Sequence, residues 1–461
     1  MRSTFTGLEL GKNALAAQQY AIDTAGHNIS NAGTKGYTRQ VSNLVTGIPN
    51  VISALGHNVS IGSGVTIESI SRIRDAFVDR QFRWETSKEQ YWSEKLYFQS
   101  NIQAFFNEPA DDSLHNDLSN FWIAWSELSK DPENSGAKAV VLERAQTLVD
   151  SFHRLAQQIT DLENDLRSKI QVQIDQINSY AAQIKDLNMQ IQRAEVAGDT
   201  PNDLYDARDQ LVDELSKIVS VRVTETQDSN FKDRHVGVFK IEIASEAAAG
   251  QVLVDHDQVW ELQGDETGFS LGSSDFELET SHGVITQMGS LAAEVELLNK
   301  YLPEIMGKLD ELAQDIATQI NTIYTSDSYP DVFFINDSGA ADIALNSSIT
   351  EDNLRTGHTA SKGDGSIASE IAALAGSIGD SYGALIARIG ANVQQAERMA
   401  QGEAVLLNQL LNQKESASGV SLDEEMTNII KFQKSYAAAA RLVTVLDDML
   451  EKIITGMGIT R

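Results

Sequence analysis

Eight histidines, 66 Asp+Glu and no cysteine set the chemistry open to this 461-residue chain. Without cysteine there is no disulfide, thiolate metal site or cysteine nucleophile. A zinc-protease helix needs two histidines four apart with Glu after the first. None of His27, His57, His115, His153, His235, His256, His282 and His358 stands in such a pair. The tightest His/carboxylate grouping is Asp255-His256-Asp257, which falls between two short apolar alternations and reads as a solvated hairpin turn. Gly363-Asp364-Gly365-Ser366 lacks the Lys and further glycines of a phosphate loop, and Gly62-Ser63-Gly64 is too short for a nucleophile elbow. The acidic residues of 326–365 lack the spacing of a calcium loop. The sequence predicts no catalytic, cofactor or metal site.

The informative spacings are apolar. Leu422, Ile429, Tyr436, Val443, Leu450 and Met457 stand seven apart, with Phe432, Ala439, Leu446 and Ile453 three beyond the middle four. That is a coiled-coil seam. The N-terminus has a matching row, Leu8, Leu15, Ile22 and Ile29, flanked by Gly11, Ala14, Ala21 and Ala25. Because a solitary helix cannot bury a seam, both ends are expected to be poorly ordered alone and helical once packed together and against copies of themselves. An ordinary intramolecular helix pair is the competing expectation.

Between these rows, prolines at 49, 109, 132, 201, 303 and 330 act as punctuation. Apolar residues from Leu148 through Phe152, Leu155, Ile159 and onward to Ile184, Leu187 and Ile191 predict one helix of about fifty residues, packed along one stripe. Gly198 to Asn202 ends it, with Asn202 or Asp203 capping the next helix to about Ile218. Period-two alternation at Val219/Val221/Val223 and Phe239/Ile241/Ile243, followed by short apolar pairs to Leu278, predicts a small β domain over residues 222–282. Helical spacing returns from Val284 to about Tyr324 and, beyond a loop-like stretch at 326–365, over Ser381–Glu415 and Leu422–Met457.

The net charge of −30 excludes phosphate-backbone binding as a main activity. No run of 18 apolar residues offers a membrane span, and the first 25 residues lack a signal-peptide core. The charge is uneven: residues 1–84 and 419–461 together carry +2, and residues 85–418 carry −32. This split predicts a solvent-facing middle and ends packed against something.

The segment His27 to Gln40, with Asn28, Asn31, Gly36, Tyr37 and Arg39, resembles the N-terminal signature of bacterial flagellar axial proteins. Its Gly-Tyr-Thr-Arg-Gln ending is similar to the hook-associated protein 1 branch of that family rather than to its rod and hook branches. Ser418 to Met426, Phe432 to Tyr436 and Ala439 to Arg441 resemble the end of the same family, and Gly62 to Arg83, Gly198 to Leu204 and Asp342 to Asn346 agree with its middle.

The resemblance implies a structural protein at the hook–filament junction, extracellular and exported through the flagellar type III apparatus without a cleaved signal. It implies self-association in a ring or helical tube, and as partners the flagellar hook protein, the third hook-associated protein and a cytoplasmic export chaperone, with no nucleic acid and no membrane. The expected fold is mainly α with a small inserted β domain: a terminal coiled-coil axial domain (1–36 and 419–461), a rod-like helical middle domain (37–221 and 283–418) and a β outer domain (222–282). Gly33 and Gly36 would free the backbone at the exit from the first helix, Asn28 and Asn31 would bond nearby backbone, and Tyr37 would suit a wet interface between subunits. Asp423, Glu424 and Glu425 read as first-turn acids favouring a helix dipole. Within the family, the third hook-associated protein is the rival, with a different N-terminal signature. A secreted enzyme or adhesin would need a catalytic or ligand cluster in 222–282, where none is visible.

Overall fold

The structure, a computed structural model, describes residues 6–54, 57–106, 113–231, 235–243, 251–265, 268–271, 274–276, 288–336, 338–359, 361 and 363–457. It is mainly helical. Its axis is α4 (Ser135–Ala197), 63 residues long, or about 95 Å at 1.5 Å per residue. Asn134 starts it by accepting from the Ala137 amide, and Gly198 ends it in the left-handed conformation at φ +88°. The predicted stripe is buried from Leu148 to Ile184 and again at Ile191. At one place the stripe departs from prediction: Leu187 is half-buried and Asn188 takes the buried position. There the turn at His256 lies against the helix, and Asn188 Nδ2 donates to the His256 carbonyl (3.0 Å). A buried carbonyl needs a donor, so an amide displaces a leucine.

Along α4 pack α3 (Leu114–Lys130), α7 (Leu302–Tyr324), and the strands that follow α5 (Asn202–Ile218). Strands β5 (Val221–Gln227), β6 (Gly237–Ile243), β7 (Gln251–Asp255) and β8 (Gln258–Val259) form an antiparallel sheet in sequence order. Alternate residues of β6, among them Phe239, Ile241 and Ile243, are buried, as period two requires. A second sheet joins β9 (Leu262–Asp265), β10 (Gly268–Leu271) and β11 (Ser274–Phe276). The expected Leu278 and Val284 lie outside the described residues.

Helical backbone passes through Pro303, as the helical spacing up to Tyr324 predicts. After α6 (Ser290–Glu296), residues Leu297–Tyr301 form a π-turn that leads directly into α7. Proline lacks an N–H and crowds the carbonyl four residues back, and a widened π-turn relieves both conflicts. Asn202 does not cap α5 through its side chain. Its amide donates to the Ile70 carbonyl (2.8 Å) and so serves a joint between elements.

The N-terminal part of the chain builds the other end. Helix α1 (Thr6–Asn31) leads into a two-tier hairpin, β1 (Gln40–Thr46) with β4 (Val65–Arg72) and, further out, β2 (Asn50–Ala54) with β3 (His57–Ile61). Helix α2 (Ala76–Phe106) then pairs along α9 (Ala375–Ser418), which follows α8 (Ser366–Ala373). The last helix, α10 (Leu422–Met457), returns along α1. Between α7 and α8, the two-residue strands β12 (Phe334–Ile335) and β13 (Ala344–Leu345) set Phe333 and Phe334 against Phe121 of α3; Phe333 also meets Trp125, with centroids 5.3 Å apart.

Candidate assembly site: the terminal helix pair and its joint

Helices α1 and α10 run antiparallel, because Gly7 faces Leu446 and Gly11 faces Val443. A Cβ on Gly11 would stand 2.5 Å from Val443 Cγ2, so glycine sets how closely the helices approach. The predicted rows are covered only in part. Leu8, Leu15, Ile22 and Ile29 are only half-buried, and the fully buried positions of α1 are Gly11, Ala17, Ala21, Thr24, Ala25 and Asn28. The reason is that α1 also packs on β1 and β4, so its small face, rather than its leucine row, is enclosed. Thr24 Oγ1 and Ser42 Oγ hydrogen-bond across that contact at 2.8 Å.

On α10, Ile429, Val443 and Leu450 are half-buried, together with Phe432, Ala439 and Leu446. Leu422 and Tyr436 are exposed, and the side chain of Met457 lies outside the described residues. Further apolar side chains outside the two predicted rows stand in solvent: Met426, Ile430, Leu442, Val445, Met449 and Ile454. Single exposed leucines are ordinary, whereas a helix exposing this many is not.

The motif loop between α1 and β1 is a polar joint. Asn28 Oδ1 accepts from the Gln40 amide (2.9 Å) and the Tyr37 hydroxyl (2.8 Å), while its Nδ2 donates to the Gln40 carbonyl (2.8 Å). A side chain thus acts as a strand partner for β1 at its first residue. The Tyr37 hydroxyl is used inside the chain. Its pKa is raised by burial, with Asp203, Asp206 and Glu425 adding to the effect. Asn31 donates back to the His27 carbonyl (3.1 Å) and accepts from Thr34. Gly36 has φ +82°, the left-handed region, with Gln210 packed where a Cβ would stand. Gly33 has no left-handed φ and nothing near it, so the expected freedom is required only at Gly36.

Arg39 joins the two ends. Its Nε donates to Glu425 (2.7 Å) and its Nη1 to Glu424 (2.8 Å), and its amide donates to the Ser418 carbonyl (2.9 Å). Glu425 is buried, so Glu424 and Glu425 serve this joint as well as the helix dipole. Beneath it lies a network missed in the sequence. Arg72 bonds Asp206 (2.7 Å) and Asp209 (2.9 Å), Arg74 bonds Asp209 (2.8 Å), and Arg83 bonds Asp213 (2.7 Å) and Asp209 (3.3 Å). Burial alone would raise the Asp209 pKa, but the guanidiniums of Arg74, Arg83 and Arg72 hold it well below the usual carboxylate range. A signal existed: Asp203, Asp206, Asp209 and Asp213 follow helical spacing on α5, and Arg72 and Arg74 share one side of a strand end. Lys414 of α9 closes the network on Asp213 (2.7 Å). A cleft of about 860 Å³ remains between the motif loop, α5 and the link from α9 to α10.

One constellation away from the joint invites a catalytic reading. Ser326 Oγ lies 3.1 Å from His358 Nδ1, which also meets Asp327 at 2.8 Å, while Nε2 meets Glu370 at 3.0 Å. Hydrogen bonds that His358 donates to Asp327 and Glu370 raise its pKa and favour the imidazolium. With a carboxylate on each ring nitrogen, His358 ties the 326–366 stretch to α8. Among the described residues, no group of three or more His, Asp or Glu side chains is placed to hold a metal, and no helix is long and apolar enough to cross a membrane.

Residues 99–328 match the family described as the flagellar hook-associated protein FlgK helical domain. Residues 8–38 match the flagella basal body rod protein family, and residues 413–456 the flagellar basal body rod FlgEFG protein C-terminal family. Flagellar hook-associated protein 1 of Bacillus subtilis is 32% identical over 505 residues, covering 100% of this chain and 99% of that protein. The Escherichia coli protein of the same name is 24% identical, covering 96% and 98%. A solved hook junction protein FlgK from Burkholderia pseudomallei aligns with a TM-score of 0.46 at 20% identity, over 56% of this chain and 46% of that one. Full-length likeness at this identity, together with terminal and helical segments matched in order, places the chain in the flagellar hook-associated protein 1 family.

Proposed function

We propose that the chain is a structural subunit of the bacterial flagellum that sits at the hook–filament junction and adapts one to the other. Residues 1–36 and 419–461 act as the axial domain. The rows of Leu8, Leu15, Ile22 and Ile29 and of Leu422, Ile429, Tyr436, Val443, Leu450 and Met457 pack the two ends together and, with the further exposed side chains of α10, join copies of the chain into a ring or tube. The helical middle (37–221 and 283–418) and the β domain (222–282) form the body outside it. The hook protein and the third hook-associated protein are the neighbours above and below. A cytoplasmic chaperone covers the ends before export, which needs no cleaved signal.

The observation that carries this reading is the apolar face of α10 left uncovered after α1 has packed, with Val445 48% and Met449 55% exposed. A surface of that kind on a monomer calls for a protein partner. Replacing Val445 and Met449 together by Lys tests it. Because both are exposed, the isolated chain is expected to keep its stability within about 0.5 kcal/mol. In a strain depending on this variant, electron microscopy should show hooks without filaments. Normal filaments on those hooks would remove the α10 face from assembly.

A further inference from the structure

Helix α2 is held against its neighbours by acid groups that have no ordinary reason to be buried. Glu294 of α6 is 0% exposed. Its Oε1 accepts from Gln173 Nε2 (2.8 Å) and lies 3.1 Å from Lys169 Nζ of α4, while its Oε2 has no partner. The same Lys169 Nζ is also bonded by Glu94 of α2. Two carboxyl groups therefore share one ammonium. With both ionised the cluster carries an uncompensated negative charge beside the buried Tyr91, Trp92, Ala293 and Ala396, and one proton removes it. The nearby Lys95 cannot neutralise it, since Lys95 is paired with Glu296 (3.2 Å), which also accepts from Tyr91. From α9, Ala396 and Ala400 pack on the cluster, and Arg388, which lines a cleft with Lys95 and Glu296, is paired with Glu304; α5 meets the start of α6 through the backbone of Ile218 and Val219.

We propose that Glu294 is held as a neutral carboxylic acid while Glu94 keeps the Lys169 ammonium, and that removing the Glu294 proton loosens α2 from α4 and α6. The device is a proton-operated latch on the arm that joins the terminal helix pair to the body, since α2 follows the hairpin directly and α9, its partner, leads into α10. Burial pushes the Glu294 carboxyl up to about 8, Lys169 opposes this, and Glu94 adds to it. A second acid contact supports the same behaviour. On the opposite side of α2, Glu85 faces Glu403 of α9, whose Oε2 is buried without a partner; burial and Glu85 raise the Glu403 pKa, and Lys88 opposes them.

The sign follows from linkage. A carboxyl whose folded value lies above its ordinary 4.5 contributes stability that is complete below 4.5, declines as pH rises, and is gone above about 8. The full-length chain and Glu294→Gln, which keeps the shape without the charge, are unfolded in urea from pH 5 to 9. The ratio of their unfolding equilibrium constants should change by up to tenfold per pH unit below about pH 8 and level off above it. Infrared spectroscopy should show a protonated-carboxyl band at pH 7 that is lost on raising the wild-type chain to pH 9 and weakened in Glu294→Gln. Glu94→Gln removes the competing charge and should move the disappearance of that band to lower pH. Parallel pH profiles for wild type and Glu294→Gln, or no such band at pH 7, would overturn the latch. Should Glu294→Gln fail to fold, the shift of the band in Glu94→Gln decides.

Discussion

Asn28 and Gln40, twelve positions apart, exchange two hydrogen bonds as strand neighbours do: the Gln40 amide donates to Asn28 Oδ1 at 2.9 Å, and Asn28 Nδ2 donates to the Gln40 carbonyl at 2.8 Å. The amide side chain is what lets a helix end and a strand start lie together. Replacing it by Ala leaves buried backbone groups without partners, at about 1 to 3 kcal/mol each. Asn28→Asp should be nearly as harmful, because a carboxylate cannot donate to the Gln40 carbonyl and adds charge beside Tyr37. Hydrogen exchange at residues 37–42 should rise in both variants while α4 stays protected. Unchanged protection in Asn28→Ala would show that the joint does not depend on this amide.

Arg39 is expected to be the main tie between the two ends. Its removal in Arg39→Met strands the buried Glu425 carboxylate, and breaking a buried pair from one side costs about 3 to 5 kcal/mol. The double variant Arg39→Met with Glu425→Leu should recover much of that loss. Thermal unfolding of the three chains checks this: no recovery in the double variant would mean that the pair matters through geometry rather than charge.

The terminal pair should be the least protected part of the isolated chain. Gly7 and Gly11 meet Leu446 and Val443 there, and the seam side chains of both helices are at most half-buried, which removes little apolar area from water. Amides of residues 6–31 and 422–457 should therefore exchange much faster than those of 148–191 in the monomer, and slow on assembly. Equal protection in the monomer would contradict folding coupled to assembly.

The His358 tie gives a separate pH signature. Its pKa is raised above the ordinary 6.5 by Asp327 and Glu370, so its contribution is complete below that value and is lost as pH rises through the higher folded value. Exchange in residues 350–366, after correction for intrinsic rates, should quicken above pH 6.5. In His358→Gln that step should be absent, and a wild-type profile in the variant would place the titration elsewhere.

The sequence by itself determined the elements whose apolar period is uninterrupted. The α4 stripe and the alternation of β6 stay buried along one side of their elements, so one-dimensional spacing records them. The mainly helical fold class with a small β insertion was legible for the same reason. Helix α2 left no such record, because it touches α4, α5, α6 and α9 on different sides and no single stripe describes it. Tertiary structure alone decided that α1 encloses its alanines rather than its leucines, that Asn188 displaces Leu187, and that Arg72, Arg74 and Arg83 converge on α5. Each depends on groups far apart in the chain whose hydrogen-bonding and charge requirements must be met at one point. Local periodicity reports which face is apolar, and only the packed structure reports what that face meets.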